Sequence, residues 1–182
     1  MPARCKHAKN LQSTLQQCLS KSKFDKTPHD FMPEGDLADL IPITKIGLCL
    51  EAKRRDSDLV EYIDRDARKA FATATFARLN THVAMNWFKR RSLTDNDLPL
   101  TKQKAKVQRS SWREIFYDEQ WKFCAPIFNT DGNNHDLEEA DIVPFVEMSR
   151  PLVEGSFGQV FSAMVHRKHM LPVSEEMLSV QK

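Results

Sequence analysis

Two glycines near the C-terminus give the chain its clearest potential for chemistry. Gly155 and Gly158 are separated by Ser156 and Phe157 in the run LVEGSFGQVF, residues 152–161. A glycine has no Cβ atom, so its backbone turns sharply at little cost and approaches a bound group closely. Backbone N–H groups presented in this way can surround a phosphate. The G-x-x-G spacing does not identify a site by itself, because any β-hairpin can contain it.

Short strands must position these glycines. Beyond residue 125, Pro126, the Asp131-Gly132 turn and Pro144 exclude a long helix. We therefore predict three strands, over residues 145–153, 159–165 and 177–182, with the glycines in the turn between the first two. The linker before the third strand contains Pro172.

The chain before residue 125 has a helical pattern. The clearest predicted helix is Leu59–Asn80, capped by Asp58 with Glu61 three residues later. Its predicted packing stripe is Leu59, Ile63, Ala67, Ala70, Ala74 and Ala77. Further helices are predicted over 5–20, 37–40, 83–91 and 107–123, whereas the apolar run Ile43–Leu50 is too short to assign.

Together these patterns predict an α+β chain. We divide it into a partly ordered helical leader (1–56), a helical region (57–128), a linker (129–144) and a strand-forming segment (145–182). This arrangement predicts a mostly helical N-terminal region followed by a first antiparallel set of strands.

Composition excludes several classes of function. There are 27 Lys and Arg against 25 Asp and Glu, a net charge of +2, so neither nucleic acid nor an anionic membrane is an expected partner. The basic clusters 53–55, 89–91 and 102–109 are interpreted as solvated helix faces and ends. No apolar run approaches the ~20 residues of a membrane span, and the N-terminus lacks the apolar core of a signal peptide.

The four cysteines predict neither a metal site nor a disulfide framework. Cys5, Cys18, Cys49 and Cys124 form no C-x-x-C pair, and no histidine has zinc-ligand spacing from them. Reduced thiols indicate a cytoplasmic or nuclear protein that is not secreted.

The run from Leu152 to Phe161 resembles the Gly-rich loop of protein kinases, written G-x-G-x-x-G-x-V. Gly155 and Gly158 match its second and third glycines, Phe157 its tip and Val160 the valine that packs on adenine. Val153 replaces the first glycine, and its β-branched side chain is expected to narrow the space over the nucleotide and weaken ATP binding. In kinases a lysine of the third strand pairs with the α- and β-phosphates, and Lys182 fills that place.

Upstream residues extend the resemblance to a group of fungal kinase-domain proteins. The stretch Tyr117–Phe128, followed by Asp141–Phe145, is similar to their "QW-F-AP-F" block and "I-PF" entry into the first strand. His166 and His169 resemble the histidine-containing linker after the second strand. The similarity covers residues 115–182, and it implies a kinase-like N-lobe whose first strands, β1-β2-β3 in kinase terms, are present here.

The resemblance implies a nucleotide site but no catalytic residue. The residues it assigns to ATP are Leu152, Val153, Glu154, Gly155, Ser156, Phe157, Gly158, Val160 and Lys182. The αC glutamate, the H-R-D loop and the D-F-G aspartate that holds Mg²⁺ would lie beyond residue 182. We therefore expect a truncated kinase-like chain with weak or absent ATP binding and no activity alone, and Mg²⁺ only in a complete parent kinase.

A second interpretation is a non-enzymatic helical module that binds a protein partner, with a degenerate kinase-like tail. An exposed patch containing Trp87, Phe88, Trp112 or Trp121 would favour it, whereas burial of these aromatic residues would make them core.

Overall fold

A computed structural model describes residues 5–24, 29–105, 111–129, 137, 139–149, 153–155 and 158–171. Helices account for most of the chain up to residue 123, and four short strands follow it. The α+β class is therefore confirmed. The helices are α1 Lys6–Cys18, α2 Asp36–Leu40, α3 Ile43–Leu50, α4 Ser57–Asp66, α5 Arg68–Phe76, α6 Thr81–Arg90, α7 Lys102–Ala105 and α8 Trp112–Glu119. The strands are β1 Ser20–Lys21, β2 Asp30–Phe31, β3 Phe145–Met148, β4 Val153–Gly155, β5 Gly158–Val160 and β6 Ala163–Val165. Short 3-10 helices cover Arg54–Asp56, Asp95–Asp97, Gln120–Phe123 and Arg167–His169.

The leader is more ordered than its sequence suggests. Helix α1 buries Leu11 and Leu15 against α3 and α5, so it belongs to the main core. The apolar run that periodicity left unassigned is helix α3. Between α1 and α2, where no strand was predicted, lies the antiparallel pair β1 and β2, in which Ser20 lies opposite Phe31.

The prediction of a single helix from Leu59 to Asn80 is wrong, because the helix is interrupted at Ala67. Ala67 has φ −142° and ψ 36°, outside the helical region, and it separates α4 from α5. The Asp58 cap is also wrong, since α4 already begins at Ser57. The break is stabilised from a distance. The Asp95 carboxylate accepts hydrogen bonds from the Lys69 and Ala70 backbone N–H groups, at 2.8 and 3.0 Å, and so caps the first turn of α5.

The predicted packing stripe is nevertheless the core face of both helices. All its members are buried except Ala77, which is half-buried. Alanines along α5 let α1, α6 and α8 approach closely, and Phe71, Phe88 and Phe116 fill the space between them. Full burial of such a phenylalanine contributes about 1.5–3 kcal/mol.

A second, smaller apolar cluster includes residues of β2 and β3. Phe31, Trp121, Ala125 and Ile142 form it, with Tyr117 and Val146 packed against them. This cluster joins β2 and the end of α8 to the chain that enters β3.

Candidate functional site

The glycines predicted to bind phosphate lie at the end of a β-hairpin. Strands β4 and β5 pair antiparallel, with Val153 opposite Val160 and Gly155 opposite Gly158. Residues 156 and 157, which separate the last pair, lie outside the described residues. The predicted antiparallel pairing of the first two strands is confirmed, but the glycines, predicted to lie in the turn, belong to the strands and pair with each other.

The same hairpin continues below its tip. Strands β3 and β6 pair antiparallel, with Phe145 opposite Val165 and Met148 opposite Ala163, and a register shift occurs between Phe145 and Glu147. Between the two ladders the Ser149 N–H donates to the Ser162 carbonyl at 2.8 Å. The two long strands predicted over 145–153 and 159–165 are therefore each interrupted, giving β3 with β4 and β5 with β6. The register shift between Phe145 and Glu147 is an irregularity of the β-bulge kind, and β-bulges bend a hairpin and increase its twist.

The structure brings together five of the nine residues assigned to the nucleotide. Val153, Glu154 and Gly155 form β4, and Gly158 and Val160 lie on β5. The Val160 side chain is 57% exposed, so it is free to cover an apolar ligand. Leu152, Ser156, Phe157 and Lys182 lie outside the described residues, as does the predicted third strand over 177–182. Nucleotide binding by this set stays a prediction.

The base of the hairpin is fastened to the helical region by backbone hydrogen bonds. On one edge, the Lys23 N–H donates to the Phe145 carbonyl at 2.8 Å. After β6 the chain lies beside Phe128, which donates to the His169 carbonyl at 2.8 Å and accepts from the Leu171 N–H at 3.0 Å. The division into four segments stays a prediction, but the strand-forming segment is not a free tail.

His169 is the anchor that sequence reasoning missed. Its side chain is buried, with 1% of the residue exposed, and its ring meets Phe31 edge-on at a centroid distance of 5.2 Å. Nε2 accepts the Glu34 backbone N–H at 3.1 Å, and Nδ1 lies 3.0 Å from the Pro126 carbonyl. Because Nε2 is the acceptor, Nδ1 carries the proton and donates it to Pro126. One imidazole thus joins three separate chain segments.

Burial keeps this imidazole neutral. It lowers the pKa of His169 below its ordinary value. The Pro126 carbonyl, which accepts from Nδ1, and the Met32 carbonyl, 3.3 Å from Nε2, both favour the protonated ring and oppose that shift only in part. The sequence offered one signal: His166 and His169 are three residues apart, which in a 3-10 helix places both on the side facing Phe31.

A second concave feature lies at the start of α5. It is a pocket of about 160 Å³ beside the Asp95 cap, with apolar walls from Met32, Leu37 and Phe123. Lys69 pairs with Glu34 at 2.9 Å in its lining. Burial raises the pKa of Asp95, and the N–H bonds from Lys69 and Ala70 partly offset this. These charged groups satisfy one another, so we interpret the pocket as part of the helix cap.

The aromatic residues of the helical region are mostly core. Phe88 and Trp121 are buried, whereas Trp87 and Trp112 are half-buried and meet edge-on at 5.7 Å. The Arg91 guanidinium lies over the Trp87 ring, 4.4 Å from its centroid. Of the four aromatic residues named for the second interpretation, two are therefore core residues and the other two, Trp87 and Trp112, retain exposed surface.

Within the described part of the chain, no group of three or more His, Cys, Asp or Glu side chains is placed to hold a metal ion. No described helix is long and apolar enough to cross a bilayer. The four cysteines are free thiols, and burial raises the pKa of Cys49 to about 11 and that of Cys124 to about 12.

No protein-family model, curated protein or solved structure matches the chain.

Proposed function

We propose that residues 145–182 belong to the N-lobe of a protein-kinase-like protein, with the β4–β5 hairpin as its Gly-rich loop. The observation that carries the proposal is the register of this hairpin. Gly155 pairs with Gly158, with two residues of sequence between them, and this is the spacing of the second and third glycines in a kinase Gly-rich loop.

The residue types present are suitable for binding an adenine nucleotide. Glycines on both sides of the tip would leave its backbone N–H groups accessible to phosphate oxygens, and the exposed Val160 would pack on the adenine ring. Lys182 would pair with the α- and β-phosphates. In a complete kinase, ATP with Mg²⁺ supplies the γ-phosphoryl group that is transferred to a protein Ser or Thr.

The chain itself is proposed to be catalytically inactive. The 182 residues contain no H-R-D sequence and no D-F-G sequence; the nearest stretches are His166-Arg167-Lys168 and Asp30-Phe31-Met32. Phosphoryl transfer depends on positioning the nucleotide, the metal and the acceptor hydroxyl, and those sequences supply the groups that do so. We expect no phosphate transfer from ATP and Mg²⁺ to a generic protein substrate.

The test is a nucleotide titration with a fluorescent ATP analogue. Val153→Gly restores the missing first glycine and is expected to tighten binding, since the β-branched side chain over the nucleotide is removed. Lys182→Ala is expected to weaken it, and Lys168→Ala, which removes a lysine paired with Asp36 away from the hairpin tip, is the matched control. Equal affinities for all four chains would contradict the proposal.

A second candidate function is binding of a protein partner by the helical region. The observation that favours it is the half-buried pair Trp87 and Trp112, which retain exposed surface next to Arg91. Tryptophan and arginine at a surface are the residues most enriched at interaction hot spots.

A further inference from the structure

Helices α6 and α8 share one surface on which apolar and basic side chains stand side by side. Phe88 and Phe116 join the helices below it, with ring centroids 5.1 Å apart, so the two helices form one rigid support. We call this the Trp87–Trp112 surface, and it consists of Val83, Trp87 and Arg90 on α6, Arg91 at the C-terminal cap of α6, and Trp112 and Ile115 on α8.

Two aliphatic side chains of this surface, Val83 and Ile115, are about half exposed to solvent. Val83 is 51% exposed and precedes Trp87 by one turn, so both lie on the same side of α6. Ile115 is 48% exposed and follows Trp112 by three residues on α8. Two helices thus each present an exposed aliphatic side chain next to a half-buried indole.

The basic residues of this surface have no acidic partner among the residues that the structure describes. The ion pairs there use Arg65, Arg68, Lys69, His82, Lys104, Lys122 and Lys168. Arg90 and Arg91 take part in none of them, although both are exposed. An uncompensated positive charge favours a partner of opposite sign.

We propose that the Trp87–Trp112 surface binds an acidic peptide segment of another protein, one that presents Asp or Glu together with apolar side chains on one face. The apolar positions would contact Val83 and Ile115, and the carboxylates would pair with Arg90 and Arg91. This inference names the partner class for the second candidate function and rests on it.

The arrangement of the rings favours a peptide over single-stranded nucleic acid. A base needs a free aromatic face on which to stack. The face of Trp87 is covered by Arg91, while Phe88 and Trp112 meet it edge-on at 5.4 and 5.7 Å. Arg91 is exposed while its guanidinium lies over the indole, and a guanidinium can pair with a carboxylate through two N–H groups.

The test uses the full chain and a fluorescein-labelled peptide in which pairs of Asp alternate with pairs of Leu, so that one face carries both residue types; binding is followed by anisotropy. The double variant Arg90→Gln, Arg91→Gln is expected to weaken binding about fivefold or more, and added salt to weaken it further. The matched control is Arg54→Gln, Arg55→Gln, which removes the same charge from two exposed arginines of the 3-10 helix before α4. It is expected to leave the affinity unchanged.

A second variant tests the apolar contacts. Val83→Gln with Ile115→Gln removes exposed side chains that contribute little to the core, and is expected to weaken peptide binding without changing the thermal unfolding midpoint. A peptide with Asn in place of Asp is expected to bind less tightly than the acidic one.

Three results would overturn the inference: equal binding of the Asp and Asn peptides, equal loss in the two arginine double variants, or tighter binding to oligouridylate or phosphatidylserine vesicles than to the peptide. A chain that binds the ATP analogue through its glycines but fails these peptide tests would leave the kinase-like proposal intact and remove this one.

Discussion

The helical region and the hairpin are stabilised by different interactions. Helices α1, α3, α4, α5, α6 and α8 bury side chains around one core, with Phe71 and Phe88 fully enclosed. The hairpin residues Val160, Phe161 and Met164 are exposed, and the hairpin is held by its ladder and by bonds at its base. A two-stranded hairpin is at best marginally stable in water. Its order must therefore come from the anchors that join it to the helices.

The largest expected difference between the two regions is in the cost of removing an aromatic ring. Phe88→Ala leaves a cavity between α6 and α8 and is expected to lower the free energy of unfolding by about 3–5 kcal/mol. Phe161→Ala removes a ring that is 40% exposed, and a much smaller cost, below about 1 kcal/mol, is expected. Urea unfolding followed by circular dichroism measures both, and equal costs would contradict the comparison.

His169 is where the two regions can be separated. His169→Ala leaves the half-buried Glu34 N–H and Pro126 carbonyl without the His169 partner, an expected cost of about 1–2 kcal/mol. Hydrogen exchange should accelerate at Phe145 and Val165 in the hairpin base more than in α5. Equal acceleration everywhere would mean that His169 supports the whole fold and not the junction.

The pH dependence of this junction has a definite sign. Since burial lowers the pKa of folded His169 below its unfolded value of about 6.5, the unfolded chain binds the proton first as the pH falls. The contribution of His169 is present above pH about 6.5 and is lost as the pH falls through its folded pKa. Glu34 opposes this shift and His166 adds to it. The free energy of unfolding is expected to fall between pH 7.5 and 5.5, and to fall less in His169→Gln than in the original chain. An identical fall in both chains would contradict this account.

The sequence predicted what depends on neighbouring residues and missed what depends on distant ones. Periodicity located α1, α6 and the buried stripe of α4 and α5, and the glycine spacing located the hairpin turn. The break at Ala67 was missed because its stabilising partner, Asp95, is 25 residues away from Ala70. His169 was missed as an anchor for the same reason, since its partners Glu34 and Pro126 are 135 and 43 residues away.

Charge and hydrophobicity alone could not divide the aromatic residues. Trp121 and Trp87 both lie in helical patterns, yet Trp121 is buried beside Phe31, on a strand that the sequence did not indicate. Trp87 is half-buried, with Phe88 and Trp112 edge-on to its ring and the Arg91 guanidinium over it. The difference is set by which elements pack together, and single-sequence periodicity does not contain that information.

The most direct test of the phosphate-binding hairpin is a nitrogen-proton NMR spectrum of the chain recorded with increasing ATP. The chain has five glycines, and Gly35 precedes α2 while Gly47 lies in α3, so both serve as internal controls. The account predicts that the amide signals of Gly155 and Gly158 shift progressively with ATP while those of Gly35 and Gly47 stay in place. Unchanged signals from Gly155 and Gly158 at millimolar ATP, or equal shifts of all four, would contradict it.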